Sequence, residues 1–154
     1  MIANVSALVN ELKALAETGK PVTIGLAGAG QMGTDIVVQL SLMPGLRLGA
    51  ISEVNTSRAV DAALLAGHGR ERLAMTKSAG EIDSAIERGR LAITDDLSAL
   101  VAAGRIDVVI DATGNPNVGT RFALDAIQNG KHVVMLNVEA DITIGRHFFF
   151  NDTA

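Results

Sequence analysis

Apolar residues recur along this chain with two different periods. From Asn4 to Thr18 they fall at Val5, Leu8, Val9, Leu12 and Leu15, the spacing of one helical face, and Gly19 with Pro21 ends the run. Pro21 to Leu26 is short, β-branched and apolar, and it leads directly into a cluster of glycines. Beyond the cluster, Ile36, Val37, Leu40 and Met43 restore helical spacing over Thr34 to Met43, and Pro44-Gly45 closes the segment. Strand, tight turn and helix therefore follow one another without a linker.

The alternation continues. Leu46 to Ser52 predicts a second strand, and Asn55-Thr56 caps a helix through Ala59, Val60, Ala63 and Leu64 that stops at Gly67-His68-Gly69. Arg70 to Arg90 is more polar, with a faint helical pattern over Glu81 to Arg88, and is expected to be an elaboration between the second and third strands without chemistry. Leu91 to Thr94 predicts the third strand, and Asp95-Asp96 the cap of a helix over Leu97 to Ala103. The near-continuous apolar run Ile106 to Ala112 predicts a fourth strand, of the kind buried on both faces of a parallel sheet. A helix over Asn117 to Asn129, ended by Gly130, and a fifth strand over His132 to Leu136 complete the pattern. This order predicts an α/β fold, an open doubly wound parallel sheet over residues 21–145, preceded by an amphipathic N-terminal helix in residues 1–20.

Composition narrows the classes of partner. With 154 residues, 48% of them hydrophobic, the chain can bury the core of one globular domain, and a second full domain is not expected. A net charge of −4 with scattered Lys and Arg leaves no electrostatic footprint for nucleic acid or an anionic membrane. The absence of cysteine removes disulfides, thiolate metal sites and cysteine nucleophiles, and is compatible with a reducing compartment. No basic leader precedes an apolar core, and no apolar run approaches the ~20 residues that span a bilayer, so a soluble, cytoplasmic chain is expected. A homo-oligomer is compatible with all of this.

The chemistry concentrates in the glycines. Gly28-Ala29-Gly30-Gln31-Met32-Gly33 has the GxGxxG spacing of a dinucleotide-binding (Rossmann) turn, and it stands where that turn requires, after a strand and at the opening of a helix. Gly28 permits the tight turn, Gly30 lets the backbone approach a pyrophosphate, and Gly33 lets the helix pack closely on the strand. The helix N-terminus then offers N–H groups and a positive dipole end to the phosphates. The bland alternative is a glycine-rich turn with no ligand.

Glu53 lies twenty positions after Gly33, at the end of the second strand, where an acid accepts hydrogen bonds from adenosine ribose hydroxyls. The lesser alternative is a solvated loop carboxylate, and Arg58 could instead pair with a 2′-phosphate, so NAD and NADP both stay open as cofactors. Thr113-Gly114-Asn115-Pro116 follows the fourth strand at the ligand-binding edge, and Thr113, Gly114 and Asn115 could face the nicotinamide ribose; an ordinary helix-capping turn explains them as well. Asn137, Glu139 and Asp141 follow the fifth strand at the same edge and could reach the nicotinamide amide or a substrate, or form a simple polar loop. His68, His132 and His147 share no metal-ligand spacing, and neither a metal site nor a catalytic acid, base or triad is nominated.

The segments Ile24 to Asp35, Ile51 to Asn55, Asp107 to Gly114 and Asn137 to Asp141 resemble the homoserine-dehydrogenase-like oxidoreductases. More narrowly, they are similar to the branch with a C-terminal SAF domain, which includes deoxyxylulose-phosphate reductoisomerase-like enzymes. The likeness covers roughly residues 4–145, and the last segment is more selective than the glycine fingerprint. It implies an NAD(P)-binding N-terminal domain of an oxidoreductase, whose substrate-binding and catalytic part lies further along a chain of several hundred residues. Homoserine dehydrogenases proper place a lysine after the Asn at the end of the fifth strand; here Asn137 is followed by Val138, which turns the expectation from homoserine towards a branched sugar phosphate.

Residues 146–154 depart from that pattern. Arg146-His147-Phe148-Phe149-Phe150-Asn151-Asp152-Thr153-Ala154 holds three of the four Phe residues and resembles a translated sequencing-adapter read-through, so a non-native or truncated tail is expected, against a short natural tail packed on the sheet. The function expected is hydride transfer between a nicotinamide cofactor and a small carbonyl or alcohol substrate held by the C-terminal region. The alternative is a non-catalytic NAD(H)-sensing regulatory domain with the helix Asn4 to Thr18 as its contact surface.

Overall fold

The computed structural model describes the backbone of residues 2–136 and the side chains of residues 6–136. Helix α1 (Ile2–Glu17) precedes strand β1 (Val22–Ala27), helix α2 (Gln31–Leu42) and strand β2 (Leu46–Ser52). Helix α3 (Thr56–Leu65), a single 3-10 turn (Arg70–Arg72) and strand β3 (Leu73–Met75) follow, then α4 (Ala79–Glu87) and β4 (Leu91–Thr94). The described part ends with α5 (Leu97–Ala102), β5 (Val108–Asp111), α6 (Pro116–Gln128) and β6 (His132–Met135).

All six strands pair in parallel, in the order β3-β4-β2-β1-β5-β6. This is the doubly wound α/β sheet that the alternating pattern predicts, with one strand more. Leu73–Met75 was expected to be part of an elaboration and is instead an edge strand paired with β4. Three residues, none fully buried, are too few to show a period, so hydrophobic patterning has nothing to detect there. The faint helix beside it is real: Ser78 Oγ accepts the Glu81 N–H at 3.3 Å and Glu81 accepts the Lys77 N–H at 2.7 Å, holding the first turn of α4 from both sides. Helix α2 starts at Gln31, at the opening that the glycine fingerprint predicts, so its first turn is built from the fingerprint itself.

The two faces of the sheet are packed by opposite size rules. Towards α4, α5 and α6 the strands present Ala27, Ala50, Ala92 and Val109, and the helices fill the space with Ile82, Ile86, Leu100 and Phe122. Towards α2 and α3 the strands carry Ile24, Leu26, Leu48, Ile51 and Ile93, and the helices answer with Ala59, Ala62, Ala63 and Val37. Large opposite small on each face lets helix and sheet approach closely. A bulge helps: Ile24 pairs with Leu48 but Gly25 with Ala50, so Gly49 is skipped, and a Cβ there would lie 2.5 Å from Thr23 Cγ2.

Strand order reverses between β1 and β5, because the chain builds outward from β1 through β2 and then crosses back to β5. The loops leaving the carboxyl ends of β1, β2, β4 and β5 diverge there and leave a crevice, the usual ligand position in open α/β sheets.

Candidate functional site

The three fingerprint glycines do three different things. Gly28 has φ +93°, and a Cβ on it would lie 2.6 Å from the Ala112 carbonyl oxygen; its N–H donates to Ser52 O at 2.8 Å. It thus ties the ends of β1, β2 and β5 together. Gly33 faces inward from α2, where a Cβ would lie 2.1 Å from Gly28 O. Gly30 is the opposite case: a Cβ there would meet nothing within 4 Å, and the residue lines the crevice.

That crevice has a volume of about 600 Å³, within the range of small-molecule sites. Gly28 and Gly30 form its floor, Ser52, Glu53 and Val54 one wall, Ala112, Thr113 and Asn115 the other, and Asp95 to Ser98 close the far end. The candidates Gly28, Gly30, Glu53, Arg58, Thr113 and Asn115 are therefore brought together. Ala29 and Gln31 line a shallower depression of about 420 Å³ that shares Gly30 and Arg58 with the main crevice. The Met32 side chain, 55% exposed, lines neither, so only its backbone in the first turn of α2 can serve the site. Asn137, Glu139 and Asp141, with His147 and the tail, lie outside the described residues.

Glu53 is anchored before any ligand arrives. Its Oε2 accepts the Ala29 N–H at 2.7 Å and its Oε1 the Asn55 N–H at 3.1 Å, so the carboxylate bridges the end of β2 to the glycine turn. Each oxygen keeps a lone pair for a further donor. Arg58, exposed in the first turn of α3, stands at the mouth of the same wall.

Helix N-termini at this edge are not equivalent. The Asn55 side chain caps α3, Asp96 caps α5 by accepting from Ser98 N and Ala99 N, and Asn115 caps α6 by accepting from Asn117 N and Val118 N. Helix α4 is capped by Ser78. Helix α2 alone among α2 to α6 has no side-chain cap, because its N-cap is Gly30. The positive end of its dipole and its first-turn N–H groups face open space rather than a side chain. The capping role foreseen as the alternative for Asn115 is thus present in the structure, and it leaves the Asn115 amide NH2 free of that bond.

The loop Asp95 to Ser98 carries site residues that patterning assigned only to a cap. Asp96 is that cap; Asp95 instead pairs with Lys77 Nζ at 2.9 Å. The hydrogen bond and charge of Lys77 hold the Asp95 carboxyl below the usual carboxylate range. Its position after β4, at the same carboxyl edge, was the available signal. Val54, 91% exposed, and Leu97 add apolar surface at this end of the crevice.

His68 and His132 stand apart from the crevice. Burial and the nearby Arg72 push His68 below the ordinary imidazole range, and His132 is exposed at the start of β6. Among the described residues no group of His, Cys, Asp or Glu could hold a metal ion, and no helix is long and apolar enough to cross a membrane.

Residues 28–144 match the homoserine dehydrogenase NAD-binding domain family. The chain belongs to this family. A homoserine dehydrogenase from Methylobacillus glycogenes is 31% identical over 121 residues, covering 77% of this chain and 25% of the relative. Among solved structures, myo-inositol dehydrogenase from Lactobacillus casei in complex with NAD(H) and myo-inositol superposes with a TM-score of 0.57 at 16% identity, over 75% of this chain and 28% of that one. Biliverdin reductase from Synechocystis, in complex with biliverdin and NADP+, gives 0.55 at 21% identity, over 75% and 29%. At these identities the structural likeness is one of fold, and it agrees with the sheet described above. The chain spans about a quarter of the homoserine dehydrogenase it matches. Glycine turn, uncapped α2 and anchored Glu53 thus lie together at the carboxyl edge of a domain of the homoserine dehydrogenase NAD-binding family.

Proposed function

We propose that the domain binds a nicotinamide dinucleotide in extended form along the crevice and, within a longer oxidoreductase, presents it for hydride transfer. The observation that carries this is the α2 N-terminus, uncapped and fronted by Gly30, where a Cβ would meet no protein atom. A diphosphate there accepts from first-turn N–H groups that have no side-chain competitor. The adenosine ribose then falls beside Glu53, with adenine towards Val54 and Leu97, and the nicotinamide ribose beside Thr113 and Asn115, which flank Gly114.

The geometry favours NAD over NADP. Two backbone N–H groups hold the Glu53 carboxylate in place, so a 2′-phosphate would be set against a fixed negative charge, whereas ribose hydroxyls donate to its free lone pairs. Arg58 is exposed and is not drawn towards Glu53 by an ion pair. When bound, the nicotinamide ring supplies the carbon that gives or takes hydride. The residues of this domain bind and orient; the group that moves the proton of the carbonyl or alcohol belongs to the substrate-binding part of the longer protein.

The finer assignment, to the branch bearing a SAF domain and acting on a branched sugar phosphate, is supported by the segment Asn137 to Asp141 and by Val138 where homoserine dehydrogenases proper carry lysine. Turnover of homoserine by the full-length protein would refute it. Calorimetric titration of the domain with NADH and NADPH tests the main proposal. NADH is expected to bind at least about tenfold more tightly, the equivalent of one charge-assisted contact. Failure of both to bind at millimolar concentration would overturn it.

A further inference from the structure

We infer that Asp111 is a positioning residue that sets the nicotinamide-end wall of the crevice. This deepens the proposed placement of the nicotinamide ribose at Thr113 to Asn115 and rests on it. Asp111 ends β5 and is fully buried. Its Oδ1 accepts the Thr113 N–H at 2.9 Å and the Thr113 hydroxyl at 2.7 Å. Thr113 Oγ1 in turn accepts the Asn115 N–H at 3.4 Å, and Asn115 Oδ1 accepts the Asn117 and Val118 N–H groups at 3.1 and 3.2 Å. Three short polar side chains therefore run as a relay from a buried strand end to the first turn of α6. Thr113, Asn115 and Val118 line the crevice; Asp111 lies beneath its surface.

The other oxygen, Oδ2, has no hydrogen-bond partner among the described residues. A buried carboxylate with a bare oxygen costs folding free energy, and an apolar residue continuing Val109 and Ile110 would avoid that cost. What an apolar residue cannot do is hold the loop. Gly114 sits at φ +66° between Thr113 and Asn115, and without the Asp111 bonds the turn is free to sample the many conformations open to glycine. With them, the wall holds one shape before the ligand arrives, so binding does not have to order it.

The relay touches only one half of the proposed ligand. ADP would contact Gly28 to Gly33 and Glu53, whereas NADH would also contact the relay loop. Calorimetry with both ligands on the whole chain separates local positioning from a general loss of stability. Thr113→Val, nearly isosteric but without the hydroxyl, is expected to weaken NADH about tenfold and ADP less than about twofold, the size of one lost hydrogen bond. Asp111→Ala should do the same or more, and Thr113→Ser, which keeps the hydroxyl, should recover most of the loss. Should Asp111→Ala fail to fold by circular dichroism, the two Thr113 variants decide. Parallel losses of NADH and ADP, or unchanged NADH binding by folded Thr113→Val, would overturn the inference.

A wild-type protein that binds ADP and NADH equally, or neither, would refute the ligand placement instead. The relay is then judged by amide hydrogen exchange at Thr113 and Asn115. Protection in the wild type that is lost in Thr113→Val supports it, and no difference overturns it.

Discussion

Gly33 and Gly30 are three residues apart in one motif, yet the structure assigns their replacement opposite consequences. In Gly33→Ala the new Cβ would stand 2.1 Å from Gly28 O and 2.9 Å from Gly28 C, roughly 1 Å inside the closest approach that real Cβ atoms make to such a neighbour. Both obstacles are backbone, so relief requires α2 to move off the β1 turn. Overpacking of this kind costs about 1–3 kcal/mol, while alanine gains about 1 kcal/mol over glycine inside a helix. Because both obstacles are backbone, the upper end of that cost applies, and the net expectation is a loss of about 2 kcal/mol, or roughly 4–8 °C in Tm for a domain of this size. In Gly30→Ala the Cβ meets no protein atom within 4 Å and the backbone, at φ −71°, is one alanine adopts freely. Stability should fall by no more than about 1 kcal/mol, the difference between Gly and Ala at an N-cap. NADH affinity should fall at least about tenfold, because the methyl occupies the space the diphosphate needs. Urea unfolding and calorimetry on the two variants give four numbers. A Gly30→Ala protein that binds NADH as well as the wild type would place the diphosphate elsewhere, and an unaffected Gly33→Ala would show that α2 is not held at this distance.

Glu53→Gln should weaken NADH binding by roughly 1.5–3 kcal/mol, the worth of hydrogen bonds to a charged group, and should also speed hydrogen exchange at the Ala29 amide without ligand; an unchanged Ala29 amide would refute the clasp between Glu53 and the glycine turn. Lys77→Met should return the Asp95 carboxyl towards the ordinary range, read by NMR titration. Since Asp95 is depressed in the folded state, the pair's contribution is present above the unfolded carboxylate value and fades as pH falls through the lower folded one. His68 is also depressed, first by burial and then by Arg72, so stability should decline as pH drops from its unfolded value through its folded one. Arg72→Ala should raise the His68 titration midpoint by NMR, and an unmoved midpoint would leave burial as the whole cause.

What could be read in advance was whatever depends on neighbours in sequence. Strand β1, the glycine turn and the caps at Asn55 and Asn115 are local, and each stands where periodicity and turn chemistry put it. Strand β3 is not local in that sense: Leu73–Met75 is a strand because β4 runs beside it, not because three half-exposed residues show a pattern. One omission led to the next. Lys77 lies two residues beyond β3, so without that strand nothing brought it to the carboxyl edge beside Asp95. Asp95 and Asp96 are chemically identical neighbours, and only the fold separates an ion pair from a helix cap. Glu53 was legible as an acid after β2, but its bond to Ala29 spans 24 residues and depends on how closely two loops approach.

An apparent contradiction in the site resolves through the same contacts. A diphosphate is anionic, and the crevice is lined by Glu53, Asp95 and Asp96 against a single cation, Arg58. Bare carboxylates in that arrangement would repel the ligand by several kcal/mol at short range in a partly buried site. None of them is bare: backbone N–H groups hold Glu53 and Asp96, and Lys77 holds Asp95. Each negative charge is thus turned towards a donor of its own. Among the described residues, the helix first turn at this edge without a side-chain acceptor is that of α2, beside Gly30, where a Cβ would meet no protein atom within 4 Å. On the proposed ligand placement, selectivity for a dinucleotide over a simple polyanion is expected, because a phosphate finds a complementary field at α2, while Glu53 rewards hydroxyl donors and repels further phosphate groups at the adjoining ribose position. A ligand with both features, spaced as a diphosphate beside a ribose, satisfies the site where inorganic pyrophosphate satisfies half of it.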